Sequence, residues 1–82
     1  MENNRVAIIS VIVEDTSATE KLNALLHEYG SGIIGRMGLP YREKGISVIS
    51  VVMDAPQESI NALTGKLGMI KGVSAKTLFS KY

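Results

Sequence analysis

From Val6 to Val13 the chain is almost continuously apolar and rich in β-branched side chains, which favours a buried strand over a helix. Glu14, Asp15 and Thr16 break the run. Ser17 and Glu20 have the S-x-x-E spacing of a capping box, in which the hydroxyl accepts from the third helical amide while the carboxylate reaches back. Ala18, Leu22, Leu25, Leu26 and Tyr29 then recur at helical spacing, and Gly30 is placed to end that helix in the left-handed conformation. Gly32 to Tyr41 predicts a second strand, weakened by Gly35 and Gly38 and ended by Pro40. Proline donates nothing to a ladder, so this strand belongs at an edge. Arg42-Glu43-Lys44-Gly45 is a polar turn short enough for a hairpin. Ile46 to Met53 repeats the β-branched character of the first strand. Pro56 suits the first position of a second helix, whose buried side is Ile60, Leu63, Leu67 and Ile70. Gly65 and Gly68 weaken that helix by about 1 kcal/mol each relative to Ala unless close packing requires them. Gly72 opens a last strand reaching to about Lys81.

The two halves of the chain repeat. A shift of 40 positions lays Val6 on Ile46, Ile8 on Val48, Ile9 on Ile49, Ser10 on Ser50, Val11 on Val51 and Gly32 on Gly72; a shift of 41 lays Leu22 on Leu63 and Leu26 on Leu67. Two βαβ units with right-handed crossovers interleave into a four-stranded antiparallel sheet with two helices on one face. The predicted class is therefore α+β, a ferredoxin-like βαββαβ fold forming one domain over residues 1–82, with the first and third strands central.

Side chains alternate across a strand. Ala7, Ile9, Val11 and Val13, with Ser47, Ile49, Val51 and Met53, suit the helix-covered core. The opposite set is Val6, Ile8, Ser10 and Ile12, with Ile46, Val48, Ser50 and Val52. A sheet face open to water should alternate to polar residues here, and only the two serines do. Val6, Ile8, Ile12, Ile46, Val48 and Val52 are accordingly predicted to form an interface with a second copy of the chain, as a homodimer or a higher homo-oligomer.

Composition narrows the functions. Hydrophobic residues make up 45% and charged residues 21% of 82 residues, as in folded globular chains. A chain of this size has a thin margin of stability, which oligomerisation commonly remedies. Nine basic against eight acidic residues leave a net charge of +1 and no basic footprint for DNA or RNA. With no cysteine, disulfides, thiolate nucleophiles and sulfur-ligated metals are excluded. The polar start leads into an apolar run too short to cross a bilayer, so the expectation is a cytoplasmic protein without a membrane partner.

Chemistry-bearing residues are sparse. The single histidine, His27, sits among polar helical neighbours, where an imidazole is ordinarily only solvated, and one imidazole without cysteine is a poor metal set. Glu14 and Asp15, where the first strand ends, read either as a polar pocket or as acids favoured beside a helix start. The glycines of Gly32–Pro40 are not a phosphate loop, since no Lys-Ser/Thr follows. They read either as an edge strand with bulges or as a segment presenting Arg36 and Tyr41 to an anionic ligand. Asp15, Arg36 and Tyr41 are thus the candidate ligand-binding residues. No nucleophile with an adjacent base stands out and no cofactor motif is present, so the expectation is a non-enzyme with neither cofactor nor resident metal.

Gly35-Arg36-Met37-Gly38-Leu39-Pro40-Tyr41 and Lys44-Gly45-Ile46-Ser47-Val48-Ile49, with Val13-Glu14-Asp15 and Gly72-Val73, resemble the iron-only hydrogenase system regulators over essentially the whole chain. The resemblance implies a fold similar to ACT domains and to the C-terminal domain of the nickel-responsive repressor, both oligomeric and both responsive to small ligands or metal ions. The repressor's nickel ligands, several histidines and a cysteine, have no counterpart here. Where ACT domains often place glycine before the first helix, this chain has Asp15-Thr16-Ser17-Ala18. The resemblance therefore implies a non-enzymatic oligomeric regulatory or small-ligand-sensing module acting on an iron-only hydrogenase system through another chain. The alternative is a structural interaction domain without a ligand.

Overall fold

A computed structural model describes residues 3–81. The elements are β1 (Asn4–Val13), α1 (Thr19–Glu28), β2 (Ile33–Tyr41), β3 (Ile46–Pro56), α2 (Gln57–Gly68) and β4 (Val73–Phe79). They form one antiparallel sheet in the order β2-β3-β1-β4, the ferredoxin-like arrangement expected from the repeat, with β1 and β3 central. Ser10 pairs with Ser50 at the middle of the β1–β3 ladder.

The core lies between the sheet and the two helices. Ile9, Val11 and Val51 are completely buried, as are Ile60, Leu63 and Leu67 of α2, while Leu22 and Leu26 seat α1. Ala75 and Phe79 of β4 pack at its border. Thr64 in α2 donates its hydroxyl to the Ile60 carbonyl at 2.8 Å and shares a hydrogen bond with the Thr77 hydroxyl on β4. Arg5 ties the start of β1 to two other elements: its guanidinium donates to Gln57 Oε1 at 3.1 Å and to the Ser80 carbonyl at 2.8 Å, and lies 4.7 Å from the Phe79 ring centre. Among the described residues no helix is long and apolar enough to cross a membrane.

Several local expectations are corrected. The capping box does not form. Instead Asp15 caps a short 3-10 turn, Thr16–Ala18, that precedes α1. Both the backbone N–H and the hydroxyl of Ser17 donate to Asp15 Oδ1, at 3.0 and 2.8 Å. With Asp15 capping residues 16–18, Ser17 lies inside the 3-10 turn and Ala18 takes the cap position of α1, so Ser17 is not where the box requires it. At the far end of α1 the chain leaves through a second 3-10 turn, Gly30–Gly32, and Gly30 is not left-handed. Pro56 ends β3 and serves as the residue before α2 rather than its first residue. β2 runs through Pro40 to Tyr41, which an edge position permits. β4 stops at Phe79.

The internal repeat reappears as one close contact used twice. Gly72 has φ +82°, and a Cβ there would lie 2.5 Å from Asp15 Cβ. At the equivalent place in the other half, a Cβ on Gly32 would lie 3.0 Å from Ala55 Cβ. In each half a residue at or just beyond the end of a central strand, Ala55 inside β3 and Asp15 after β1, packs onto the glycine that precedes the neighbouring edge strand. A Cβ on Gly65 in α2, by contrast, meets nothing within 4 Å, so close packing does not explain that glycine. Gly65→Ala should therefore raise stability by about 1 kcal/mol, a rise of roughly 4–8 °C in a thermal melt. Gly72→Ala should lower the melting temperature in the same measurement, because both the φ and the space oppose a side chain.

Candidate functional site

The register across the four strands assigns every residue of the sheet face that carries no helix. One row runs Met37, Ser50, Ser10, Lys76 from edge to edge. Beside it on one flank lie Leu39, Val48, Ile12 and Ser74; on the other flank lie Gly35, Val52, Ile8 and Leu78. Tyr41 and Ile46 extend the face at one end and Asp54 and Val6 at the other. All six residues assigned to an interface from the sequence are on this face. Val6, Ile8, Ile12 and Val48 are each about 40% exposed despite being in central strands, while Ile46 and Val52 are half-buried. Apolar side chains on the edge strands widen the patch: Met37 is 72%, Leu39 62% and Leu78 71% exposed.

Sequence reasoning missed Met37 and Leu39 because the phase of β2 is not readable from its composition. A bulge between Ile33 and Gly35 resets the alternation, and only then do Met37, Leu39 and Tyr41 fall on the open side. The glycines of β2 are not explained by close backbone approach. A Cβ on Gly35 would meet nothing within 4 Å, and one on Gly38 only Ile49 Cγ1 at 3.9 Å.

The three candidate ligand residues do not converge within one copy. Arg36 and Tyr41 are five residues apart in one strand, so they point to opposite faces, a parity already present in the sequence. Arg36 lies on the helix side and donates to Asn23 Oδ1 of α1 at 3.2 Å. With His27, Leu26 and Ile33 it lines an open groove of about 370 Å3. Tyr41 lies on the open face, half-exposed. Asp15 sits where β1 ends, against Gly72 and opposite the start of β4. The Ser17 hydroxyl, then the Ser17 N–H, and more weakly the Lys71 charge hold its carboxyl below the usual range. These are the interactions of a cap, so Asp15 has a structural task.

A cleft not anticipated from the sequence lies at the junction of β3 and α2. It holds about 380 Å3 and is lined by Asn4, Glu28, Tyr29, Asp54 and Ser59 among others. Its residues come from three separate stretches of the chain, and no motif marks them. Beside it, Lys66 of α2 reaches Glu28 at 3.7 Å and lies 5.2 Å from the Tyr29 ring centre, linking the two helices. Among the described residues, no three His, Cys, Asp or Glu side chains are grouped closely enough to hold a metal ion.

Residues 5–77 match the sequence model of a family described as "Iron-only hydrogenase system regulator, putative". The chain belongs to this regulator family. Its structure is similar to that of the uncharacterized protein TM1266 from Thermotoga maritima, with a TM-score of 0.92 and 36% identity over 96% of this chain and 100% of the other. It is 31% identical over 74 residues to a "Putative nickel-responsive regulator" of Saccharolobus solfataricus, covering 89% of this chain but 55% of the relative. The chain thus spans about half the length of that curated relative. Two more distant likenesses concern the fold alone. The C-terminal domain of the MgtC protein from Mycobacterium tuberculosis aligns with a TM-score of 0.73 at 13% identity, covering 100% and 94% of the two chains. The apo form of CPII, a nitrogen regulatory PII-like protein from Thiomonas intermedia K12, aligns at 0.51 and 15%, covering 93% and 91%.

The Asp15 cap has a pH signature of defined sign. Its carboxyl titrates lower in the fold than its ordinary value of 3.8, so the stabilisation is complete above that pH. It is lost as pH falls below 3.8 and through the lowered folded value, because the unfolded chain binds the proton first. Asp15→Ala keeps the Cβ that packs on Gly72 and removes only the carboxylate. Its melting temperature should lie below wild type at pH 7, and the gap should shrink as pH falls below the ordinary carboxyl value of 3.8.

Proposed function

We propose that this chain is a non-enzymatic, self-assembling regulatory module whose open sheet face is covered by a second copy, with a small-molecule signal read around the assembled surface. The observation that carries the reading is the apolar character of β1 and β3 on both faces, together with membership of a regulator family. Two helices cover one face, and in a lone copy the other leaves Ile8, Ile12, Val48, Leu39, Met37 and Leu78 in water. Covering such a patch at about 25 cal/mol per Å2 contributes several kcal/mol, a large share of a small domain's stability.

The small-ligand part of the reading places the ligand at the assembly rather than within one copy, because Asp15, Arg36 and Tyr41 face three different ways. Assembly brings Tyr41, on the covered face, into contact with the second copy, while the loop at Asp15 borders it. The same divergence favours a second reading, a structural interaction domain with no small ligand. In either case the chain works in the cytoplasm and reaches nucleic acid, if its output is transcriptional, through another polypeptide. Its net charge of +1 gives no overall excess of positive charge with which to hold phosphates.

A thermal-shift screen separates the two readings, since a ligand that binds the native form raises its apparent melting point by mass action. Amino acids, nucleotides and divalent metals, nickel included, are the probes. A shift of several degrees with one class near millimolar concentration supports the sensor; no shift with any supports the structural reading. Assembly itself is checked by light scattering. Wild type should have the mass of a dimer or more at micromolar concentration. Ile8→Asp or Val48→Asp should dissociate it, because each places a charge in the middle of the covered face. Glu28→Lys, on the helix side, should leave the mass unchanged.

A further inference from the structure

The open face carries information about how its partner sits, and this inference rests on the self-assembly reading above. Strands about 4.8 Å apart and about 3.3 Å per residue along each strand give a face of roughly 20 by 25 Å. Covering it removes roughly 500 Å2 from each copy and about 1,000 Å2 in all, which reaches the size at which specific interfaces begin. The area therefore suits a second copy of this sheet.

The centre of the face does not choose an orientation. The 40-residue repeat makes Val6, Ile8 and Ile12 nearly equivalent to Ile46, Val48 and Val52 about the Ser10–Ser50 pair. The edges do choose. Two shallow hollows lie on either side of the central strands. One, of about 310 Å3, is lined by Ser10, Ile12, Ser74, Ala75 and Lys76. The other, of about 290 Å3, is lined by Met37, Gly38, Leu39, Val48 and Ser50. These are the same rows of the sheet, reflected from the β1–β4 side to the β2–β3 side.

We infer that a second copy covers this face about a two-fold axis running parallel to the strands, midway between β1 and β3. That operation lays β1 over the partner's β3 and β4 over the partner's β2 while keeping the rows. Each hollow then closes on the other. Leu39 enters the space above the partner's Ser74, Leu78 the space above the partner's Gly35, and Ser10 meets the partner's Ser50. Lys76, the charged side chain in the middle row, lies over the partner's Met37. Its aliphatic stem follows the thioether and its ammonium reaches solvent at the sheet edge. A two-fold axis across the strands also sets large edge residues over small ones, Leu39 over Gly35 and Leu78 over Ser74. However, it stacks Lys76 on the partner's Lys76 as the sheets close to about 10 Å, and like charges so placed oppose association. Charge selects the first arrangement.

The chain has no cysteine, so introduced thiols are the only ones. Ser74→Cys, Leu39→Cys and Leu78→Cys leave Lys76 in place. Pairs of variants are mixed, allowed to exchange subunits and treated with a thiol cross-linker of about 10 Å reach, which matches the spacing of packed sheets. Ser74→Cys should couple to Leu39→Cys at least tenfold faster than to Leu78→Cys. Faster coupling to Leu78→Cys, in a protein that still sediments as a dimer, overturns the orientation and leaves self-assembly standing. Sedimentation of wild type as a monomer overturns self-assembly, and the orientation with it.

Discussion

The structure depends on a constraint set by β1 and β3: both central strands are apolar on both faces, and among the described residues two α-helices, α1 and α2, cover one of those faces. The helices take Ile9, Val11, Ile49, Val51 and Met53 out of water, which accounts for the core. Ile8, Ile12, Val48 and Val52 are of the same residue types, and among the described residues no element lies over them. Everything proposed about function follows from that imbalance. A sheet whose second face were polar would be complete as a monomer, and nothing in the rest of the molecule would ask for a partner.

The internal repeat sharpens the constraint. Because the halves are offset by 40 residues, the open face is nearly symmetric about Ser10 and Ser50, and a symmetric apolar face is suited to a copy of itself. The repeat is also where the halves have diverged. Ala55, buried against Gly32, occupies in the second half the place that Asp15 occupies against Gly72 in the first. One half thus closes with an apolar contact and the other with a capping carboxylate at the surface. That difference gives the two ends of the domain distinct chemistry on a common frame, with the cleft of Glu28, Asp54 and Ser59 at one and the Asp15 loop at the other.

How much was legible in the sequence divides along physical lines. Runs of β-branched residues, the leucine spacing of α2 and the repeat each involve many residues pointing to one answer, and strand order and core followed from them. Pro40 placed β2 at the edge because a residue without an N–H cannot donate to a ladder on a central strand. Competition between neighbours was harder to read. Ser17 had the spacing of a cap, but Asp15 caps residues 16–18 and moves the start of α1 past it. The bulge at Ile33–Gly35 set the facing of Met37, Leu39 and Tyr41, and a bulge is a property of the pairing rather than of either strand. The separation of Arg36 from Tyr41 was visible in their odd spacing. The cleft at the β3–α2 junction was not, since its lining comes from segments far apart in the chain.

Small-angle X-ray scattering of the native chain tests the central claim, that the second face of the sheet is covered, without altering a residue. Self-assembly predicts a forward-scattering mass of at least twice the 8.8 kDa of one chain and a radius of gyration clearly above the 12.5 Å of the single fold. A mass of 8.8 kDa with a radius close to 12.5 Å, held across micromolar concentrations, would contradict it.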